Sequence, residues 1–221
     1  MIVQVYADNV LAYDSRLNDY ALLTLQVTKT LNKAGTATIT IPPGHPAYNW
    51  FSQYRTIVTI YRGGALYFRG RALIVQDDYY KQRTVTCEGE FCFLRDSVIR
   101  PYLYQDSPAN VFKSLIQTHN EQMETVKQFS VGEITVTDAN NYIRLESETA
   151  EQTADVVSKL LERVGGYIVI TGNQDGSRTI NWLAETGCSS NQVIEFGSNL
   201  LDFARDAGND DIITAIIPYG A

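Results

Sequence analysis

The sequence is poor in the residues that most often carry chemistry. Its 221 residues hold two histidines and three cysteines. Three cysteines (Cys87, Cys92 and Cys188) are too few and odd in number for a disulfide framework, and with only His45 and His119 to join them no zinc-binding spacing results. A reducing compartment of synthesis is the expectation. No stretch approaches the ~18 consecutive apolar residues of a membrane-spanning helix. The segment Val164 to Ile170 is broken by Gly165 and Gly166. The opening MIVQVYADNV has no basic region followed by an apolar stretch and a small-residue cleavage site, so neither a membrane anchor nor a secretion signal is expected. The phosphate-binding, dinucleotide-binding, zinc-protease and serine-hydrolase motifs (P-loop, GxGxxG, HExxH, GxSxG) are all absent. Basic charge is also short. The net charge is −7, which disfavours a nucleic-acid groove, since such a groove needs clustered Lys and Arg to displace counterions.

What the chain does have is strand-forming and aromatic residues: 44% apolar side chains, with 14 Tyr, 8 Phe and 2 Trp, against 19% charged. This composition excludes disorder and a coiled coil. Charge is unevenly spread. Residues 1–106 carry 11 basic and 9 acidic side chains (net +2), whereas 107–221 carry 7 and 16 (net −9), which together give the −7 of the whole chain. The shift suggests two structural units.

Periodicity supports that division. Leu23, Leu25 and Val27 alternate, as do Ala37, Ile39 and Ile41, with Asn32 to Gly35 between them, so a hairpin is predicted that ends at Pro42 and Pro43. Val58 and Ile60 lead into Gly63-Gly64, a pair suited to positive φ at both central turn positions, and Leu66 and Phe68 lead out. Separate strands are predicted at Arg71–Val75 and Arg83–Cys87. After Ser107, a candidate N-cap followed by Pro108, apolar residues fall at helical spacing to Met123. A second helix is expected to start at Thr149 in a Thr-Ala-Glu-Gln capping box and to end at Gly165. A hairpin follows, from Tyr167–Thr171 through Asn173 to Gly176 into Thr179–Leu183. Gln192–Phe196 and Ile212–Pro218 read as extended. A final strand with no partner after it reads as a truncation. The expected architecture is therefore α+β, mainly β: a barrel-like antiparallel domain over 1–106, an inserted α+β domain over 107–187, and strands over 188–221 returning toward the barrel or a missing domain.

Candidate chemical residues point to structural roles. His45, in Pro-Pro-Gly-His-Pro, suits a loop imidazole bonded to nearby backbone, and His119 a packed or helix-end histidine. Glu88 and Glu90 flank Gly89; on one strand face they would lie about 7 Å apart, between the spacings of retaining and inverting glycosidases, but solvated or locally paired carboxylates are the simpler expectation. Asp77-Asp78-Tyr79-Tyr80 and Tyr102/Tyr104 could stack on sugar rings, with core or interface packing favoured. Asp175 lacks the other positions of a calcium loop and reads as a turn. No catalytic, cofactor-binding or metal-binding residue is assigned.

Four ordered segments go further: Thr-Ile-Thr-Ile-Pro-Pro-Gly-His-Pro (38–46), Tyr-Arg-Gly-Gly-Ala-Leu-Tyr-Phe-Arg-Gly-Arg (61–71), Thr-Cys-Glu-Gly-Glu-Phe-Cys-Phe-Leu-Arg-Asp-Ser (86–97) and Leu-Ile-Gln-Thr-His-Asn-Glu-Gln (115–122). With Gly165-Gly166-Tyr167 and the run from Ile213 to Gly220, their order resembles the N-terminal region of siphophage and prophage tail-tip hub proteins, also called tail-associated lysin or prophage tail endopeptidase proteins. The resemblance implies a fold similar to contractile-tail baseplate hubs and a non-enzymatic virion protein made in the bacterial cytoplasm. It also implies a homotrimer below a distal tail protein ring, with a tape measure protein or tail fibre as further partners. The hydrolase of longer members has no counterpart here, and the family offers no catalytic residues to carry over. A carbohydrate-binding or host-surface-binding module is the alternative.

Overall fold

The computed structural model describes residues 2–172, 177–187, 191–200 and 202. Residues 1–186 form one unit and 187–221 another. In the first, seven strands build an antiparallel sheet: β1 (Val3–Ala7), β2 (Val10–Asp14), β3 (Thr24–Thr28), β4 (Thr36–Ile41), β5 (Ile57–Arg62), β6 (Ala65–Asp77) and β7 (Arg83–Gly89), in the order β2-β1-β5-β6-β7-β4-β3. Among the described residues no ladder joins β2 to β3, so these are the sheet's two edges.

Both hairpins predicted within this sheet form. Leu25 pairs with Ile39 across β3 and β4, and Arg62 pairs with Ala65 around Gly63 and Gly64, whose φ angles of +62° and +84° are those the turn demands. The first hairpin, β1 with β2, was not predicted. It turns at Asp8 and Asn9, both at positive φ, where a short polar side chain tolerates the left-handed region.

The strand predicted at Arg71–Val75 is the second half of β6, which runs unbroken for 13 residues from Ala65. Gly70 makes this continuity possible. It lies opposite Gly89, and a Cβ at Gly70 would fall 2.0 Å from the Glu88 carbonyl oxygen. The alternating inward positions Val5, Ile39, Ile41, Val58, Ile60, Phe68, Val85 and Cys87 form one core, with Ala47 and Phe51 from the 42–56 connection covering it.

A six-residue 3-10 segment, Glu90–Arg95, carries the chain from β7 into a second core. Around it lie β8 (Val98–Ile99), β9 (Tyr102–Asp106), α1 (Pro108–Gln122), β10 (Ser130–Ile134), β11 (Ile143–Ser147), β12 (Glu151–Gln152), α2 (Thr153–Val164), β13 (Tyr167–Gly172) and β14 (Arg178–Leu183). The strands form a three-stranded sheet, β10-β14-β13, and two pairs, β11-β9 and β12-β8. α1 begins as predicted: Ser107 Oγ accepts from the Asn110 N–H at 3.3 Å, and Pro108 occupies the first turn.

α2 does not begin at Thr149. Glu151 and Gln152 pair with Ile99 and Val98, so the ladder displaces the capping box and the helix starts at Thr153. Its end is as expected, at Gly165 with φ +84°. Trp182, fully buried, packs on Phe112 with ring centroids 5.4 Å apart and donates its indole N–H to the Gly165 carbonyl. Gly166 leaves space for this ring, since a Cβ there would lie 2.8 Å from the indole nitrogen.

The architecture is thus mainly β, with an α+β part packed on the 3-10 segment. Among the described residues no helix is long and apolar enough to cross a membrane. In the second unit, Gln192–Phe196 adds no strand, only an isolated bridge from Phe196 to Leu200. The 173–176 turn with Asp175, Cys188, and the Ile212–Pro218 strand lie outside the described residues.

Candidate functional site

Glu88 and Glu90 lie where the seven-stranded sheet meets the second core. They do not share a strand face, because the chain leaves β7 at Gly89 and Glu90 opens the 3-10 segment. Nor are they solvated. Both are buried, and each is held by arginines. Arg71 on β6 donates to Glu88 at 2.8 Å and to Asp96 at 2.6 Å, and Asp96 also accepts from Lys127 at 2.9 Å. Glu90 accepts from Arg69 and, at 2.5 Å, from Arg178 on β14. Phe93 is fully buried beside both cationic groups, with the Arg178 guanidinium 5.0 Å and that of Arg71 5.7 Å from its ring centre. Burial pulls Arg71 toward the neutral form, but its bonds to Asp96 and Glu88 outweigh this and leave its pKa raised. Burial raises the Asp96 pKa and is likewise outweighed, here by Arg71 and Lys127, so Asp96 is held below the usual carboxylate range. For Arg178 burial prevails over Glu90, and its pKa is lowered.

His119 is packed, as expected, and it completes a chain of buried hydrogen bonds. Its Nε2 lies 3.0 Å from the Lys127 carbonyl oxygen, which can only accept, so Nε2 carries the proton. Nδ1 then accepts from Ser97 Oγ at 2.7 Å, and Ser97 in turn accepts from Thr153 Oγ1 at 2.7 Å. Burial lowers the His119 pKa, consistent with this neutral form. A serine bonded to an imidazole is the beginning of a nucleophile-base pair. Ser97, His119 and Thr153 are all fully buried, however, and no substrate reaches them in this conformation.

His45 bonds to nearby backbone, as expected. Its Nδ1 accepts from the Ala47 N–H at 3.0 Å, and the ring meets Tyr20 edge-on. Tyr102 and Tyr104 pack against the second core with centroids 5.1 Å apart. Tyr79 and Tyr80 are exposed, but their rings stand 85° to one another and present no common flat face.

One feature was not legible in the sequence. A cavity of about 420 Å³ opens between the Thr28–Gly35 connection, the start of β6 and the edge of β13. Asn32 bridges it at one end: its side-chain oxygen accepts from the Ile168 N–H at 2.8 Å, and its amide donates to the Gly166 carbonyl at 3.0 Å. Asn32 has φ +56°, which an asparagine in a turn could have signalled, but its partners lie more than 130 residues away.

Comparison with known proteins places the fold. No protein-family model and no curated protein sequence matches the chain. Its fold is that of prophage tail proteins. The prophage tail protein gp18 from Listeria monocytogenes EGD-e superposes with a TM-score of 0.52 at 10% identity, over 82% of this chain and 50% of the other. The 43 kDa tail protein of prophage MuSo2 from Shewanella oneidensis gives 0.53 at 15% identity, over 81% and 53%. A tail protein from Neisseria meningitidis MC58 gives 0.54 at 12% identity, over 81% and 49%. The chain therefore spans about half the length of the structures it matches.

Proposed function

We propose that this chain is a structural protein of a phage or prophage tail that acts by assembly. It would form the N-terminal part of a trimeric tail-tip hub seated below the distal tail ring, joining that ring to the host-binding or wall-penetrating tip. A tape measure protein or tail fibre would be a further partner, and the virion tail tip its location. The carrying observation is the shared fold, over four fifths of the chain, with three proteins described as tail proteins. The ordered segments from Thr38 to Gln122 support the narrower hub reading. The proposal includes no catalysis: the hydrolase of longer hub proteins has no counterpart in the sequence, and the Ser97–His119 pair is sealed. Binding would come from aromatic and aliphatic anchors at symmetric interfaces and from the sheet edges β2 and β3.

Light scattering over a concentration series, alone and with a distal tail ring, tests this reading. A trimer, or three subunits bound per six-membered ring, is expected. A protein that remains monomeric across the series and ignores the ring would overturn the hub assignment.

A further inference from the structure

The cavity beside β13 contains a strand edge that is unpaired among the described residues. The Trp182 carbonyl accepts from the Thr135 N–H, so the backbone of Trp182 faces β10. Its register partner Ile168 therefore faces away from β14, as do Ile170 and Gly172, two and four residues on. Asn32 occupies the outward N–H of Ile168 and the carbonyl of Gly166. Past that clamp, the Ile168 carbonyl, both backbone groups of Ile170 and the Gly172 N–H lie along the cavity with no ladder partner among the described residues. Ile168 to Gly172 covers about 13 Å of strand, enough for four main-chain bonds to a short extended segment.

The charges at this edge select the occupant. Lys29 and Lys33 line the cavity and are exposed, and neither forms an ion pair among the described residues. Lys29 instead leans over Tyr67, with Nζ 4.0 Å from the ring centre. Glu90, the one acidic residue of the lining, is committed to Arg69 and Arg178. A neutral strand would gain nothing from the two lysines, and a basic one would be repelled.

We propose that the β13 edge is a docking site for an extended acidic segment of a partner protein, added as a strand alongside Ile168–Gly172 with carboxylates reaching Lys29 and Lys33. The inference rests on this edge alone and stands whether or not the chain forms trimers.

The probe is a fluorescent seven-residue peptide of alternating Glu and Val, titrated by anisotropy against the whole chain, with amide exchange followed at Ile170 and Gly172. Binding is expected together with slowed exchange at both amides. It should weaken at least tenfold when the central Val is replaced by Pro, which cannot donate to the ladder. The K29E/K33E double variant should lose the Glu-Val peptide and gain a Lys-Val counterpart. No binding, or binding indifferent to the proline, would overturn the proposal, the second result showing mere charge attraction. It would also fall if K29E/K33E altered the protein's own mass in solution, since a second copy would then be the occupant.

Discussion

Arg178 on β14 donates to Glu90 at the start of the 3-10 segment, 88 residues away in sequence, and both side chains are buried. The bond ties the hairpin of the second core to the segment that leaves the first sheet. Breaking a buried pair by removing one partner leaves an uncompensated charge, which typically costs about 3–5 kcal/mol. E90Q should therefore lower stability by that order in urea denaturation, whereas R69M/E90M/R178M, which replaces the whole charged cluster, should recover much of the loss. If E90Q unfolds at the same urea concentration as the parent, the cluster is not what holds these parts together.

The buried histidine makes a pH prediction. The His119 pKa lies below its ordinary value because burial disfavours the charged ring. The unfolded chain thus takes up this proton at higher pH than the folded one. The contribution is fully present above the unfolded pKa of about 6.5 and is lost as pH falls toward and through the folded pKa, at no more than about 1.4 kcal/mol per pH unit. H119Q should be less stable at pH 8, and its deficit relative to the parent should shrink between pH 7 and pH 5. A deficit that is constant with pH would show that the ring does not titrate with unfolding.

Cys87 and Cys92 should be inert in the native protein. Cys87 and Cys92 are fully buried, burial pushes the Cys87 thiol up to about 12, and it raises Cys92 as well. Alkylation at pH 8 followed by mass mapping should leave both unmodified until denaturant is added. Rapid labelling of either one in native buffer would mean that the core opens locally.

Gly70 allows β6 and β7 to pass at close range, whereas Gly89 leaves room for the Ala34 carbonyl. G70A places a methyl carbon 2.0 Å from the Glu88 carbonyl oxygen, backbone that cannot move without disturbing the ladder. A loss of about 2–4 kcal/mol, at the high end for a single substitution, is expected from thermal or urea unfolding. G63A, where no atom lies within 4 Å, should cost less, through its positive φ alone.

Local signals in the sequence were reliable where chemistry acts at short range. Gly63-Gly64 fixed a hairpin because few other residues accept two successive positive φ values, and Ser107-Pro108 fixed a helix start because the cap needs only its own next three residues. The capping box at Thr149 failed because Glu151 and Gln152 found ladder partners in Val98 and Ile99, about 50 positions earlier. The Asp8-Asn9 turn was readable in principle, as a dipeptide tolerant of positive φ between alternating apolar residues.

The sequence by itself determined that the described residues are mainly β with two α-helices, because strand alternation, turn glycines and caps are properties of neighbours along the chain. Only the tertiary structure decided the fate of its polar residues. Whether Glu90 is solvated or clamped by Arg69 and Arg178, whether Ser97 and His119 are open or sealed, and whether the edge of β13 is paired or bare all depend on which distant segments meet. Desolvation and long-range pairing set those outcomes, and neither is written in the spacing of adjacent residues.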